Sequence, residues 1–279
     1  MKKLIVTADD AGLHPGMTLG ALRAHEAGIV TAVSLAANGR AFEDAVEKLK
    51  DRPGLDAGVH LVLVGERPLS PPEEVRSLLG QDGALLPDFR AFYLRYVAGR
   101  IVRSEVEAEL RRQVEKVLAA GLPIVHLNSH QHLHVLPEVF EIVLKLADEH
   151  RIPWVRIPCE PAVSRRRWSL RTAQLAALNH YGRRARRRAQ GRISAPDRTV
   201  GVVDAGRLTV ERLREALQDA EGVTELVCHP GVGDAALTAK YDWGYGWDRE
   251  TEALCDPGLR EALRRAGVEV VGFSDAAPR

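Results

Sequence analysis

Hydrophobic positions in this chain fall into short, nearly continuous runs, separated by longer stretches in which they recur every three or four residues. The runs at 3–7, 30–35, 58–63, 123–127, 154–157, 199–203, 225–228 and 268–271 are β-branched or apolar almost throughout, the pattern of short buried strands. Between them, stretches such as 105–120 and 137–150 space Leu, Val and Ile as one face of a helix does. Ser104 is placed to cap the first of these helices, Gly121 to end it, and Pro137 falls in the first turn of the next. Strand alternating with helix predicts an α/β fold with a mainly parallel sheet, either open and doubly wound or closed as a (β/α) barrel.

The position of the unusual polar residues favours the barrel. Asp9 and Asp10, His60, His130 and His229 each lie at or just beyond the end of an apolar run, and a barrel brings such strand ends to one mouth. Two segments interrupt the alternation. Residues 65–100 are rich in Pro, Gly and turn residues and read as a long loop beside the site. Residues 160–198 hold arginine clusters around a helical stretch bearing Leu170, Leu175, Ala176 and Leu178, a basic helical insertion. Neither requires a second domain, so residues 1–279 are expected to form one.

Composition narrows the function without naming it. With 45% apolar and 28% charged residues the chain can bury a substantial core, and 39 basic against 38 acidic groups give no overall field for nucleic acid. Cys159, Cys228 and Cys255 are odd in number and far apart, which suits a reducing compartment, so a cytoplasmic protein is expected. The opening MKKLIVTADD starts as a secretory signal would, but its apolar run stops at paired aspartates and reads as a strand. No stretch approaches the roughly 20 apolar residues of a membrane-spanning helix.

Four motifs carry the chemistry. In TADDAG two carboxylates follow a strand, where they serve either as helix caps or as a metal ligand beside a base. In GVHLVL, His60 lies in an apolar strand, where its nitrogens need partners. In HLNSHQHLH, His126, His130, His132 and His134 share parity with Asn128, so extended backbone would set all of them on one face, a poor core but a serviceable metal or substrate lining. Spacing does not choose among the four. In ELVCHPG, His229 ends a strand before Pro-Gly stops it. One carboxylate and two imidazoles on a divalent ion leave positions open for water and a substrate oxygen, which suits hydrolysis.

TADDAG, GVHLVL, SHQHLH and CHPG, in this order over most of the chain, resemble the YdjC-like carbohydrate deacetylases. GVHLVLVGERPLSPPEEV and GYGWDRE look most like those associated with hopanoid lipid biosynthesis. The resemblance implies a barrel of the polysaccharide-deacetylase type and removal of acetyl from an N-acetylated amino sugar, either chitooligosaccharide-like or an N-acetylglucosaminyl lipid. It implies Asp10, His60 and His130 as metal ligands, Asp9 as general base and His229 as general acid, leaving Asn128, His126, His132 and His134 to support the ligands or touch substrate. Magnesium or zinc is the expected ion, with cobalt, nickel and manganese also acceptable to such ligands. Alanine at position 11, where the family more often has an aromatic residue, is expected to widen the pocket.

The basic segment from Arg165 to Arg192 could meet anionic lipid at the inner membrane surface, or serve as a solvated excursion or a homodimer contact. Two other functions compete. A metal phosphoesterase could use similar ligands, though two-metal sites call for more bridging carboxylates; a non-catalytic sugar-binding protein would have little use for paired aspartates opposite a histidine.

Overall fold

The computed structural model describes residues 2–160, 170–217 and 220–276. Within them lie the strands β1 (Lys2–Ala11), β2 (Ala32–Leu35), β3 (Asp56–Leu61), β4 (Ile124–Ser129), β5 (Trp154–Val155), β6 (Arg198–Val200), β7 (Val223–Cys228) and β8 (Val268–Val270). The helices are α1 (Pro15–Glu26), α2 (Phe42–Lys50), α3 (Phe89–Val97), α4 (Arg103–Ala119), α5 (Pro137–Glu149), α6 (Leu170–Ala189), α7 (Val210–Leu217), α8 (Ala235–Lys240), α9 (Trp247–Leu254) and α10 (Pro257–Arg265). Every apolar run read from the sequence became a strand, with bounds shifted by a few residues.

All ladders are parallel, and the strand order is β5-β4-β3-β2-β1-β7-β6. β8 pairs the first residues of β1, on the edge that β2 takes farther along. The curved sheet is an incomplete barrel with its seam between β5 and β6. That seam is crossed by a bridge from Trp154 to Ser194 and by Thr199 Oγ1, which donates to the Ile157 carbonyl at 3.3 Å.

The strand period of two sorts side chains between the helices and the barrel interior. On β1, Leu4, Val6 and Ala8 join the large apolar cluster packed against the helices, whereas Ile5 points inward with Ala32, Trp154, Val223 and Phe273 to plug the barrel floor. One step up, Thr7 Oγ1 donates to Glu225 Oε1 at 2.8 Å, and His126 stacks on Phe273 at 4.3 Å. Gly58 leaves the space that His126 fills, since a Cβ there would come within 2.3 Å of the ring. The next interior positions up are those of the motifs.

Local punctuation differs from expectation in three places. Ser104 lies inside the first turn of α4 and Val102 takes the cap position without a side-chain cap; Ser77 secures this end, its Oγ accepting from Val102 N and its N–H donating to Glu105. The segment 65–100 is more than a loop, containing two 3₁₀ turns and α3. Residues 126–134 are extended only as far as Ser129. His130–Val135 then form a 3₁₀ turn in which Gln131 and His132 are left-handed, with φ of 53° and 56°. Ser129 closes that turn, its Oγ accepting from His134 N at 3.1 Å. The basic insertion does contain a helix, α6, although Arg165, Arg166 and Arg167 lie outside the described residues.

Candidate metal and catalytic site

The site grows from an irregularity in β1. Ala8 pairs with Val33 and Ala11 with Leu35, so three steps on β1 span two on β2, and the extra residue is accommodated by Asp10 at φ 68°. In a regular strand adjacent side chains point to opposite faces. The bulge lets both carboxylates reach the same histidine: Asp10 Oδ1 is 3.1 Å and Asp9 Oδ1 3.9 Å from the ring of His60. Ala11 is fully buried in the apolar core, so it does not widen a pocket.

His60 and Asn128 face each other across β3 and β4. His60 Nδ1 donates to Asn128 Oδ1 at 2.7 Å, which leaves Nε2 carrying a lone pair. That nitrogen is buried without a hydrogen-bond partner. His130, on the first residue beyond β4, places Nδ1 2.9 Å from Asp10 Oδ1. One donor atom each from Asp10, His60 and His130 lie within 4.8 Å of one another, the one such cluster among the described residues. Ligands about 2 Å from a single ion stand roughly 3–3.5 Å apart, so an orphaned imidazole nitrogen, a second imidazole and a carboxylate at these separations fit a divalent ion.

Electrostatics point the same way. Burial alone would raise the Asp10 carboxyl, but His130 and His60 hold it well below the usual range. Burial would lower His60, and the two aspartates together raise it. A cation placed among these groups would take over from the proton that His60 otherwise attracts.

Asp9 is held from below by Arg156, which is wholly buried. Arg156 Nη1 and Nη2 donate to its two oxygens at 2.5 and 3.0 Å, and Nε and Nη2 also donate to Glu225 Oε1 at 2.9 and 2.8 Å. Asn128 Nδ2 adds a bond to Asp9 Oδ1 at 3.0 Å and another to Ser34 Oγ at 2.7 Å. Burial works against ionisation of Asp9, yet Arg156 and His60 outweigh it and keep the carboxylate ionised.

His229 follows β7, with its backbone N–H donating to Glu250 Oε1 at 2.5 Å and its Nδ1 3.9 Å from the same oxygen. Burial lowers its basicity. Glu250 is fully buried, and burial pushes its carboxyl up to about 8 against the pull of the N–H groups of His229 and Leu208. Aromatic rings rim the site: Trp243 lies 5.1 Å from His130 and Tyr245 5.2 Å from His229, with Tyr241 and Trp247 packed behind them. A cavity of about 900 Å³ opens beside Tyr245, lined also by Asp234, Thr238, Asp242, Trp247 and Arg249.

The structure thus brings Asp9, Asp10, His60, Asn128 and His130 together and sets His229 at the neighbouring strand end. His126 and His134 lie elsewhere. His126 Nε2 meets Ser34 Oγ at 3.0 Å beneath the site, and burial lowers it to about 3. His134 bonds Ser129 Oγ at 2.6 Å and the Arg156 carbonyl at 2.7 Å, and burial lowers it to about 4. Both are neutral struts. His132 lies on the left-handed turn with Nδ1 buried and unpartnered, and burial holds it neutral. Sequence reasoning missed Arg156, Glu225 and Glu250. A lone arginine within the apolar run 154–157 was the available signal for the first.

The family model described as YdjC-like protein matches residues 3–265. The carbohydrate deacetylase of Brevibacillus brevis is 32% identical over 98% of this chain and 99% of its own length. A chitooligosaccharide deacetylase from Yersinia enterocolitica is 29% identical, covering 98% of this chain and 99% of its own. A crystal structure from Enterococcus faecalis, of a protein provisionally assigned to cellobiose-phosphate cleavage, superposes with a TM-score of 0.76 at 25% identity, covering 99% of both chains.

Proposed function

Because the chain belongs to the family of YdjC-like proteins, we propose that it is a divalent-metal-dependent hydrolase that removes acetyl from an N-acetylated amino sugar by cleaving the amide C–N bond. The observation that carries this reading is the unpaired Nε2 of His60, fixed by Asn128 and facing Asp10, beside an aspartate anchored by a buried arginine. Similarity to proteins named carbohydrate and chitooligosaccharide deacetylases supports the substrate class.

Asp10, His60 and His130 would hold the ion, which when bound supplies Lewis acidity to the acetamide carbonyl and to a water. Asp9 accepts the proton of the attacking water, and its bonds from Arg156 and Asn128 hold the carboxylate in one orientation for that task. His229 delivers a proton to the amine as the C–N bond breaks. Trp243 and Tyr245 offer faces for sugar rings, and the cavity beside them has room for the rest of the molecule. Magnesium and zinc are the ions favoured here, with cobalt, nickel and manganese as further candidates.

The engagement of Asp9 with Arg156 argues against a two-metal phosphoesterase, since it withdraws the one carboxylate next to the ligands from bridging a second ion. The assay is amine release from N-acetylated chitooligosaccharides and from an N-acetylglucosaminyl lipid, with metal-stripped protein reloaded by each ion. Release that returns with metal is expected. Release indifferent to metal, or absent on every acetylated sugar, would overturn the proposal.

A further inference from the structure

Large apolar side chains are exposed at few places, and they cluster. Of the six found among the described residues, Tyr93, Leu94, Val97 and Val102 lie within one short segment, with Leu94 68% and Val97 58% exposed. Tyr93, Leu94 and Val97 occupy one face of α3, and Arg90 sits a turn before them on the same face. Arg100 and Arg103 follow, both exposed.

This face adjoins α6. Tyr93 and Tyr181 share a hydroxyl hydrogen bond of 2.9 Å. Two residues beyond Tyr181, α6 presents Arg183, Arg184 and Arg187 to solvent. The sequence between Glu160 and Asp197 contains ten arginines and no aspartate or glutamate. Glu141 takes up Arg188 and Arg192, and Glu138 lies near Tyr96, leaving a surface of one predominant sign around the apolar residues. The same face abuts the mouth of the site, for Phe89 N at the start of α3 donates to Gln131 Oε1 at 2.7 Å, and Gln131 follows His130.

We propose that α3 and α6 form a docking face for an anionic lipid surface, with Leu94 and Val97 entering the headgroup region and the arginines engaging phosphates. Two features select this occupant. Exposed aliphatic residues at the centre of a cationic rim suit a bilayer interface better than a nucleic acid, whose backbone offers charge but no apolar phase. A second copy of the chain meeting this face would set arginine against arginine. The docking reading does not depend on catalysis, but it deepens the proposed function by placing the mouth beside the membrane, where a lipid-linked acetylated sugar would present its headgroup.

The test is cosedimentation of the full chain with vesicles of phosphatidylcholine alone and of phosphatidylcholine mixed with phosphatidylglycerol. Binding to the mixed vesicles that salt reverses is expected, with little binding to the neutral ones. Each arginine removed should weaken it about fivefold, so Arg183→Gln, Arg184→Gln and Arg187→Gln together should weaken it by roughly a hundredfold. Leu94→Asp with Val97→Asp should abolish it, while amine release from a soluble acetylated oligosaccharide and the melting temperature stay unchanged. Absence of binding to anionic vesicles, binding indifferent to these substitutions, or light scattering that shows a dimer dispersed by Leu94→Asp would overturn the proposal. Vesicle binding without deacetylation of any sugar would uphold the docking face and sink the enzymatic reading instead.

Discussion

Arg156 grips Asp9 through both terminal nitrogens, and neither side chain is more than 2% exposed. The pair is balanced by a third buried charge, Glu225, on the other flank of the same guanidinium. Removing the arginine would strand two carboxylates away from water. Arg156→Ala should therefore cost about 3–5 kcal/mol of stability, read by chemical unfolding. Arg156→Lys keeps a charge but loses the two-pronged hold, so kcat should fall by about ten- to a hundredfold with KM little changed. The acid limb of its pH profile should move only part of the way toward ordinary carboxylate values, because the ammonium keeps the charge that depresses Asp9 and loses the paired hydrogen bonds.

The proposed base and a proposed metal ligand should separate cleanly by assay. Asp9→Asn is expected to keep its metal, measured by elemental analysis, and to lose roughly a hundredfold to ten-thousandfold in turnover. His60→Ala should lose the metal. Metal loss in Asp9→Asn, or retention in His60→Ala, would reverse the assignment.

Asn128 touches no ion in the proposed arrangement, yet it fixes both the tautomer of His60 and one oxygen of Asp9. Asn128→Ala should weaken metal affinity by about 10–100-fold, read by competition with a chelator. It should also lower kcat once metal is saturating, a combination that a purely structural residue would not produce.

Glu250 gives a pH signature in stability. Its carboxyl, raised to about 8 in the folded protein from an ordinary value near 4.5, binds a proton more tightly folded than unfolded. Stability from this group is complete below the unfolded value and is lost as pH rises toward 8, by on the order of a few kcal/mol. Glu250→Gln should flatten that decline, measured by urea unfolding across the window. An unchanged slope would show that the carboxyl ionises at its ordinary pH.

Much of this was legible in the residues because it follows strand periodicity. Each apolar run became a strand, and Asp9, His60, His130 and His229 mark the ends of β1, β3, β4 and β7 as the barrel reading requires. The histidine cluster was legible only in part. Alternation correctly put His126 and Asn128 on the interior, but Ser129 recruits the backbone of His134 and turns the chain, a side-chain decision that propensity does not register. Arg156 and Glu250 escaped notice for a different reason. A single charged residue in a sequence carries no sign of burial, and only the meeting of β5 with β1 and β7, or of α9 with the loop after β7, reveals it.

The bulge in β1 has a consequence for how this site can change. The candidate ligand and the candidate base are neighbours on the backbone, facing the same way only because one extra residue sits between Ala8 and Ala11. Deleting a single position there would restore an even ladder and turn one carboxylate out of the mouth, while an insertion would add a second kink. A change in the number of residues from Ala8 to Ala11 would therefore disturb ligand and base together, whereas an exchange at Asp9 or Asp10 removes one of them. A change in strand length here that shifted Asp10 would also move Asp9.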